Sequence, residues 1–100
     1  MKDDEVLKFV EQTCRQYPTL VNTVWIFGSR SKHQAGATSD YDIAVDWNSS
    51  DDEDWATFVG YLREKNPTLF TLDIVRFDRI SLELRQRVLE EGRVIYEKNR

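Results

Sequence analysis

Three aspartates and one glycine turn are the residues of this chain whose types and spacing could do chemistry together. Gly28-Ser29 is followed, after ten residues, by Asp40-Tyr41-Asp42, and a further aspartate, Asp73, interrupts an apolar segment. Two carboxylates at positions i and i+2 of a strand point to the same side and can share a metal ion. A glycine turn can lay backbone N–H groups and a hydroxyl against a phosphate. The combination predicts metal-assisted chemistry on a nucleotide.

The aspartate pair has an ordinary alternative, because acidic residues often line the solvent face of an antiparallel sheet. Asp73 argues against it, since an unpaired carboxylate inside the apolar segment Leu69–Val75 would be costly. If that segment pairs with the strand of Asp40 and Asp42, Asp73 joins their face. Three carboxylates suit Mg²⁺, and two such ions about 3.5–4 Å apart clamp the attacking and leaving oxygens of an in-line displacement. Asp73 is also placed to accept the proton of an attacking hydroxyl.

The hydrophobic pattern puts these residues on alternating helices and strands. Apolar residues three and four apart predict helices over 3–17, 52–65 and 81–91, and β-branched or alternating runs predict strands over 20–27, 40–47, 69–77 and 94–96. The apolar stripe of the last helix is predicted at Leu82, Arg85, Val88 and Leu89. This order predicts an α/β fold (α+β in some schemes), with a small mixed β-sheet flanked by helices.

Length and composition favour a single globular domain over residues 1–100. The net charge of −4 argues against an extended nucleic-acid-binding face, which is normally basic. No apolar run of about 20 residues could span a membrane. The single cysteine, Cys14, allows no internal disulfide, so we expect a cytoplasmic protein. Cys14 lies on the apolar stripe of the first helix, which predicts a core residue rather than a nucleophile.

In four segments the chain resembles the minimal nucleotidyltransferases of the polymerase-beta-like nucleotidyltransferase superfamily. These segments are Gly28–Arg30, Ser39–Ile43, Leu72–Val75 and residues 84–96. The resemblance implies the polymerase-beta-like nucleotidyltransferase fold, with Mg²⁺ held by Asp40, Asp42 and Asp73. It also implies that Gly28 and Ser29 hold the triphosphate of ATP or another nucleotide. Arg30 follows at once and is a candidate phosphate contact.

Members of this branch are often encoded beside a helical toxin RNase of the HEPN type. The resemblance to the MntA-like antitoxins of these HEPN/MNT pairs implies transfer of AMP from ATP to a hydroxyl, a tyrosine in some pairs, of the toxin. One alternative is a non-catalytic binding subunit that neutralises its partner by complex formation. Another is a transferase for RNA or antibiotics, against which the acidic balance and the lack of a second domain argue. Assembly of a homo-oligomer that completes the cleft also stays open.

Overall fold

The computed structural model describes residues 2–28, 41–68 and 71–98. In chain order the elements are α1 (Lys2–Cys14), β1 (Val21–Phe27), β2 (Tyr41–Trp47), α2 (Asp52–Lys65), β3 (Leu72–Arg76), a 3-10 turn (Phe77–Arg79), α3 (Leu82–Glu91) and β4 (Arg93–Glu97). The predicted order of helices and strands is confirmed. Among these described helices, none combines the length and the apolar character that crossing a bilayer requires.

The first helix ends earlier than its hydrophobic pattern predicts. α1 stops at Cys14 rather than at position 17, because the chain tightens there into turns bonded between residues i and i+3. The Gln16 N–H donates to the Thr13 carbonyl and the Tyr17 N–H to the Cys14 carbonyl. Pro18 follows, and a proline disfavours helical backbone at the residue before it. The turn leads the chain directly into β1.

The four strands form one sheet in the order β3-β2-β1-β4. β1 runs antiparallel to both β2 and β4, whereas β2 and β3 are parallel. A parallel pair needs a long crossover between its strands, which α2 supplies between β2 and β3. The sheet is therefore mixed, and the fold class predicted from the sequence is confirmed.

Helices α1 and α2 bury their apolar sides against one face of this sheet. The core cluster there includes Val6, Val10 and Cys14 of α1, Phe58 and Leu62 of α2, and Val24, Ile26, Tyr41, Ile43, Val45 and Trp47 of the strands. Burying a side chain of this size contributes about 1.5–3 kcal/mol. A slip of β2 by one residue would turn its whole apolar set away from the helices. The core thus fixes which face of β2 carries its acidic residues.

An aromatic contact covers the middle of the opposite face of the sheet. Trp25 of β1 stacks on Phe77, with 4.8 Å between the ring centroids. Ala44 is the register partner of Trp25 and is fully buried. Because β2 lies between β1 and β3, the small side chain of Ala44 leaves room for the two rings to meet above it. Asp42 lies on the same face, two residues earlier on β2.

The apolar stripe predicted for α3 is wrong at two of its positions. Val88 is fully buried, but Leu82 and Leu89 are 76% and 61% exposed. The buried side runs instead through Val88 and the half-buried Leu84. Both stripes follow the period of a helix, and only the direction in which α3 approaches the sheet selects one of them.

Candidate active site

Two of the three predicted catalytic aspartates face each other across neighbouring strands. Asp42 of β2 and Asp73 of β3 are register partners in the parallel pair, so their side chains leave the same face of the sheet. Adjacent strands lie about 4.8 Å apart. Asp42 is half-buried and Asp73 is exposed. The two carboxylates are therefore within reach of one bound group that approaches from solvent.

Gly28 stands directly against this pair at the end of β1. Its φ angle of +73° lies in the left-handed region that glycine adopts without strain. A Cβ atom built on Gly28 would lie 2.5 Å from Asp42 Oδ2, far inside contact distance. The close approach follows from the register, because Phe27 pairs with Asp42 and Gly28 is the next residue. Glycine is thus required both by the backbone conformation and by the position of the carboxylate.

The remaining predicted site residues fall outside the part of the chain that the structure describes. These are Ser29, Arg30 and Asp40. Their assignment as nucleotide-binding residues and as a metal ligand stays a prediction. The structure brings Gly28, Asp42 and Asp73 together at one end of the β2–β3 pair. That juxtaposition joins residues 28, 42 and 73, which are far apart in sequence.

The donor set at this end suits a divalent cation. Over residues 2–28, 41–68 and 71–98, no three His, Cys, Asp or Glu side chains gather into one group. Asp42 and Asp73 supply two carboxylates, and two like charges on adjacent strands repel. Mg²⁺ prefers oxygen ligands and keeps several waters, so one half-buried and one exposed carboxylate fit its needs. The residues present therefore fit the metal that the sequence predicts, with Asp40 as the candidate third ligand.

The opposite end of the same strand pair carries a cluster that the sequence analysis missed. The guanidinium of Arg76 is buried and donates from Nε to Asp78 Oδ1 at 3.0 Å and from Nη2 to Asp78 Oδ2 at 2.9 Å. These hydrogen bonds hold the pKa of Asp78 below its usual value. Arg79 Nη2 donates to Asp52 Oδ1 at 2.5 Å. An arginine at an inward-facing position of a strand was the available sequence signal.

Cys14 occupies the place that its helical stripe predicts. Its side chain is fully buried in the core. Burial, with a smaller contribution from the negative charge of Glu11, raises the pKa of the thiol to about 12. A thiol that stays protonated at neutral pH is a poor nucleophile. Cys14 is therefore a core residue, as expected.

Comparison with solved structures finds the same fold in toxin–antitoxin complexes. A toxin–antitoxin complex with AMP-PNP contains a chain that is 21% identical, with a TM-score of 0.73, 93% of this chain and 74% of that chain covered. The MntA–HepT complex contains a chain that is 19% identical, with a TM-score of 0.65. The match covers 92% of this chain and 70% of that chain. A complex of the tri-AMPylated Shewanella oneidensis HEPN toxin with MNT antitoxin contains a chain that is 21% identical, with a TM-score of 0.67. The match covers 97% of this chain and 73% of that chain.

These identities establish similarity of fold. The comparison with curated proteins finds no match. The comparison with protein families matches residues 8–100 to the family described as "Polymerase beta, Nucleotidyltransferase". The match covers nearly the whole chain and includes Gly28, Asp42 and Asp73. This chain belongs to the polymerase beta nucleotidyltransferase family.

Proposed function

We propose that this protein transfers AMP from ATP to a hydroxyl of a protein partner, and that the partner is a helical HEPN-type toxin which it neutralises. The observation that carries the proposal is the Asp42–Asp73 pair, in register on one face of the sheet and directly beside Gly28. Two of the similar structures support it, because one contains AMP-PNP and the other an AMPylated toxin. Because the proposed reaction consumes ATP, we place it in the cytoplasm, where ATP is available.

The site residues of the proposed reaction fall into metal ligands and phosphate-binding residues. Asp42 and Asp73, with Asp40, would hold Mg²⁺, which would neutralise the phosphates and polarise the reacting phosphoryl group. The turn at Gly28, with Ser29 and Arg30, binds the triphosphate through N–H groups, a hydroxyl and a guanidinium.

The transfer itself is an in-line displacement at the α-phosphorus. The acceptor hydroxyl oxygen forms a bond to the α-phosphorus of ATP, while the bond from that phosphorus to the α–β bridging oxygen breaks. Pyrophosphate leaves with that oxygen and its electron pair. The hydroxyl proton passes to a carboxylate, and the exposed Asp73 is our candidate for this base. The chain otherwise contributes positioning and charge rather than a covalent intermediate.

A labelling experiment with α-³²P-ATP tests the proposal. The purified chain, Mg²⁺ and lysate of its own host are incubated together, and protein-bound label is read after electrophoresis. Label should enter a partner protein with the native chain and disappear with Asp40→Asn/Asp42→Asn or after chelation of the metal. Asp46→Asn is the matched control, because Asp46 lies on the same strand and face as Asp42. It should retain transfer.

The same variants separate catalysis from neutralisation by binding. The toxin RNase is assayed with the native chain and with Asp40→Asn/Asp42→Asn, each with and without ATP. Inhibition that needs ATP and the aspartates supports transfer. Equal inhibition by the folded variant without ATP would overturn the enzymatic proposal in favour of a binding subunit.

A further inference from the structure

A polar cavity lies at the end of β2 and β3 opposite the candidate active site. Its volume is about 430 Å³, and Trp47, Ser49, Arg76, Asp78 and Arg79 are among the residues that line it. Trp47 is the last residue of β2 and Arg76 the last of β3, whereas Asp42 and Asp73 lie at the beginnings of these strands. The cavity is therefore separated from the proposed nucleotide site by the length of the strand pair.

Two residues that line this cavity each hold a buried hydrogen-bond donor that lacks an acceptor. The indole Nε1 of Trp47 and the Nη1 of Arg76 have no hydrogen-bond partner in the described part of the chain. Their residues are only 4% and 6% exposed. The other nitrogens of Arg76 are used, since Nε and Nη2 bond to Asp78 and Nη2 also donates to the Ser49 carbonyl. A buried donor without an acceptor is unfavourable, because it has lost its hydrogen bonds to water and gained none in the protein.

One carboxylate already reaches into the space between the two arginines. Asp52 Oδ1 accepts a hydrogen bond from Arg79 and lies 3.7 Å from Arg76 Nη1, too far for a hydrogen bond. The Asp52 side chain is 72% exposed, so it can be displaced into solvent without opening the core. The geometry admits an oxyanion between Arg76 and Arg79, but Asp52 fills the position incompletely.

The Trp55 ring also borders these donors. Its centroid lies 5.7 Å from Arg76 Cζ. It also packs edge-on against the Trp47 ring, with 5.2 Å between the two ring centroids. An aromatic face is a weaker acceptor of an N–H group than a charged oxygen is. An oxyanion that replaced Asp52 would therefore offer Arg76 and Trp47 a better acceptor than the ring.

We propose that this cavity is a second binding site, which takes a phosphate or carboxylate group between Arg76 and Arg79 in exchange for the Asp52 side chain. The incoming group accepts hydrogen bonds from Arg79, from Arg76 Nη1 and from Trp47 Nε1. Asp52 acts as an internal competitor and keeps the affinity of the native site low. The proposal is independent of nucleotidyl transfer, because it uses none of the residues at the catalytic end.

The indole N–H signals of the three tryptophans provide a direct test by NMR. The ¹⁵N-labelled protein is titrated with sodium phosphate and separately with sodium acetate, at constant pH and at an ionic strength held with sodium chloride. Trp47→Phe assigns the signal of Trp47, and Trp25, which stacks on Phe77, is the internal reference. We expect a saturable shift of the Trp47 signal with at least one of the two anions. Phosphate alone points to a phosphate-bearing ligand, and a shift with acetate extends the class to carboxylates.

Variants of exposed residues make the test specific without disturbing the buried Arg76. Asp52→Asn should tighten binding by about tenfold, because it removes a competing charge a few ångströms from the arginines. Arg79→Gln should abolish the saturable shift. Asp54→Asn, which removes the same charge from the same turn of α2, is the matched control and should change the affinity much less.

Three outcomes would overturn the proposal. One is no saturable shift of Trp47 in Asp52→Asn, with either anion. Another is an equal gain in affinity in Asp52→Asn and Asp54→Asn, which would indicate general electrostatics. The third is an unchanged shift in Arg79→Gln. Because the readout is anion binding, these outcomes leave the nucleotidyl-transfer experiment unaffected.

Discussion

The two ends of the parallel pair β2–β3 use aspartate in different ways. At one end Asp42 and Asp73 stand in register on the same face, so the chain brings two negative charges together. At the other end Asp78 receives a bidentate contact from the buried Arg76, which places a positive charge beside the carboxylate. Both arrangements are built on the same two strands, and both depend on the register that the core fixes.

This difference distinguishes an acid that serves stability from acids to which the proposed function assigns chemistry. The Asp78 carboxylate stabilises the fold through charge-assisted hydrogen bonds, which are stronger than neutral ones. Two carboxylates brought side by side repel each other, and this repulsion opposes folding. They become favourable when a cation binds between them. The comparison therefore predicts opposite consequences when an aspartate is removed from each end.

The largest expected effect is on transfer activity at the candidate active site. Asp73→Asn should lower the rate of AMP transfer by about 10²-fold or more, because it removes a proposed metal ligand and the candidate base. Asp78→Asn, the matched substitution on the opposite end, should leave the rate unchanged within about twofold. The measurement is the initial rate of label transfer from α-³²P-ATP, with folding checked by circular dichroism.

Stability should respond in the reverse sense. Urea denaturation should show Asp73→Asn at least as stable as the native chain, because the substitution relieves repulsion from Asp42. Asp78→Asn should be less stable. The contrary outcome is an Asp73→Asn variant that unfolds while the activity per folded molecule is retained. Asp73 would then serve stability, as Asp78 does, and the two ends would not differ.

A glycine substitution gives the next effect, on stability and activity together. Gly28→Ala should destabilise the fold by about 1–2 kcal/mol, since alanine resists a φ angle of +73°. The new Cβ would also displace the Asp42 carboxylate, whose Oδ2 lies 2.5 Å from the Cβ position. Transfer should therefore fall by about tenfold or more, as expected when a catalytic group is misplaced by about an ångström.

Gly60→Ala is the matched control for Gly28→Ala. Gly60 lies in α2, and a Cβ added there meets no atom within 4 Å. Alanine in a helix interior is about 0.5–1 kcal/mol more favourable than glycine, so this variant should be more stable and fully active. A Gly28→Ala variant that also kept full activity would show that the position of the Asp42 carboxylate does not limit transfer.

Several parts of this molecule follow from the sequence by simple physical rules. The strand of Asp42 alternates apolar and polar residues, so its buried set and its acidic face were predictable. The place of Asp73 followed from one condition, that its strand pairs with that of Asp42, and the register meets this condition. Gly28 was predictable as a turn residue because it ends an apolar strand.

Other features depend on tertiary contacts that no local pattern encodes. The predicted stripe of α3 failed at Leu82 and Leu89, because a helix ten residues long allows more than one apolar side. The inward-facing position of Arg76 in its strand indicated burial, but its contacts with Asp78, Ser49 and Trp55 arise only in the folded chain. The contact between Gly28 and Asp42 likewise comes from strand register, not from the spacing between the two residues.

The smallest effect is the pH dependence of the Arg76–Asp78 contact. The pKa of Asp78 is lowered from its usual value of 3.8, chiefly by the hydrogen bond from Arg76, so the folded state binds this proton more weakly than the unfolded state. The contribution to stability is therefore complete above pH 3.8 and is lost as the pH falls through the lower value of the folded state. Because the Asp78 side chain is 47% exposed, solvent screening limits the contribution to about 0.5–1 kcal/mol. The urea midpoint of the native chain should be higher than that of Asp78→Asn at pH 7, and the two midpoints should converge as the pH falls well below 3.8. A difference that stays constant or grows on acidification would mean that the carboxylate charge of Asp78 does not stabilise this end of the strand pair.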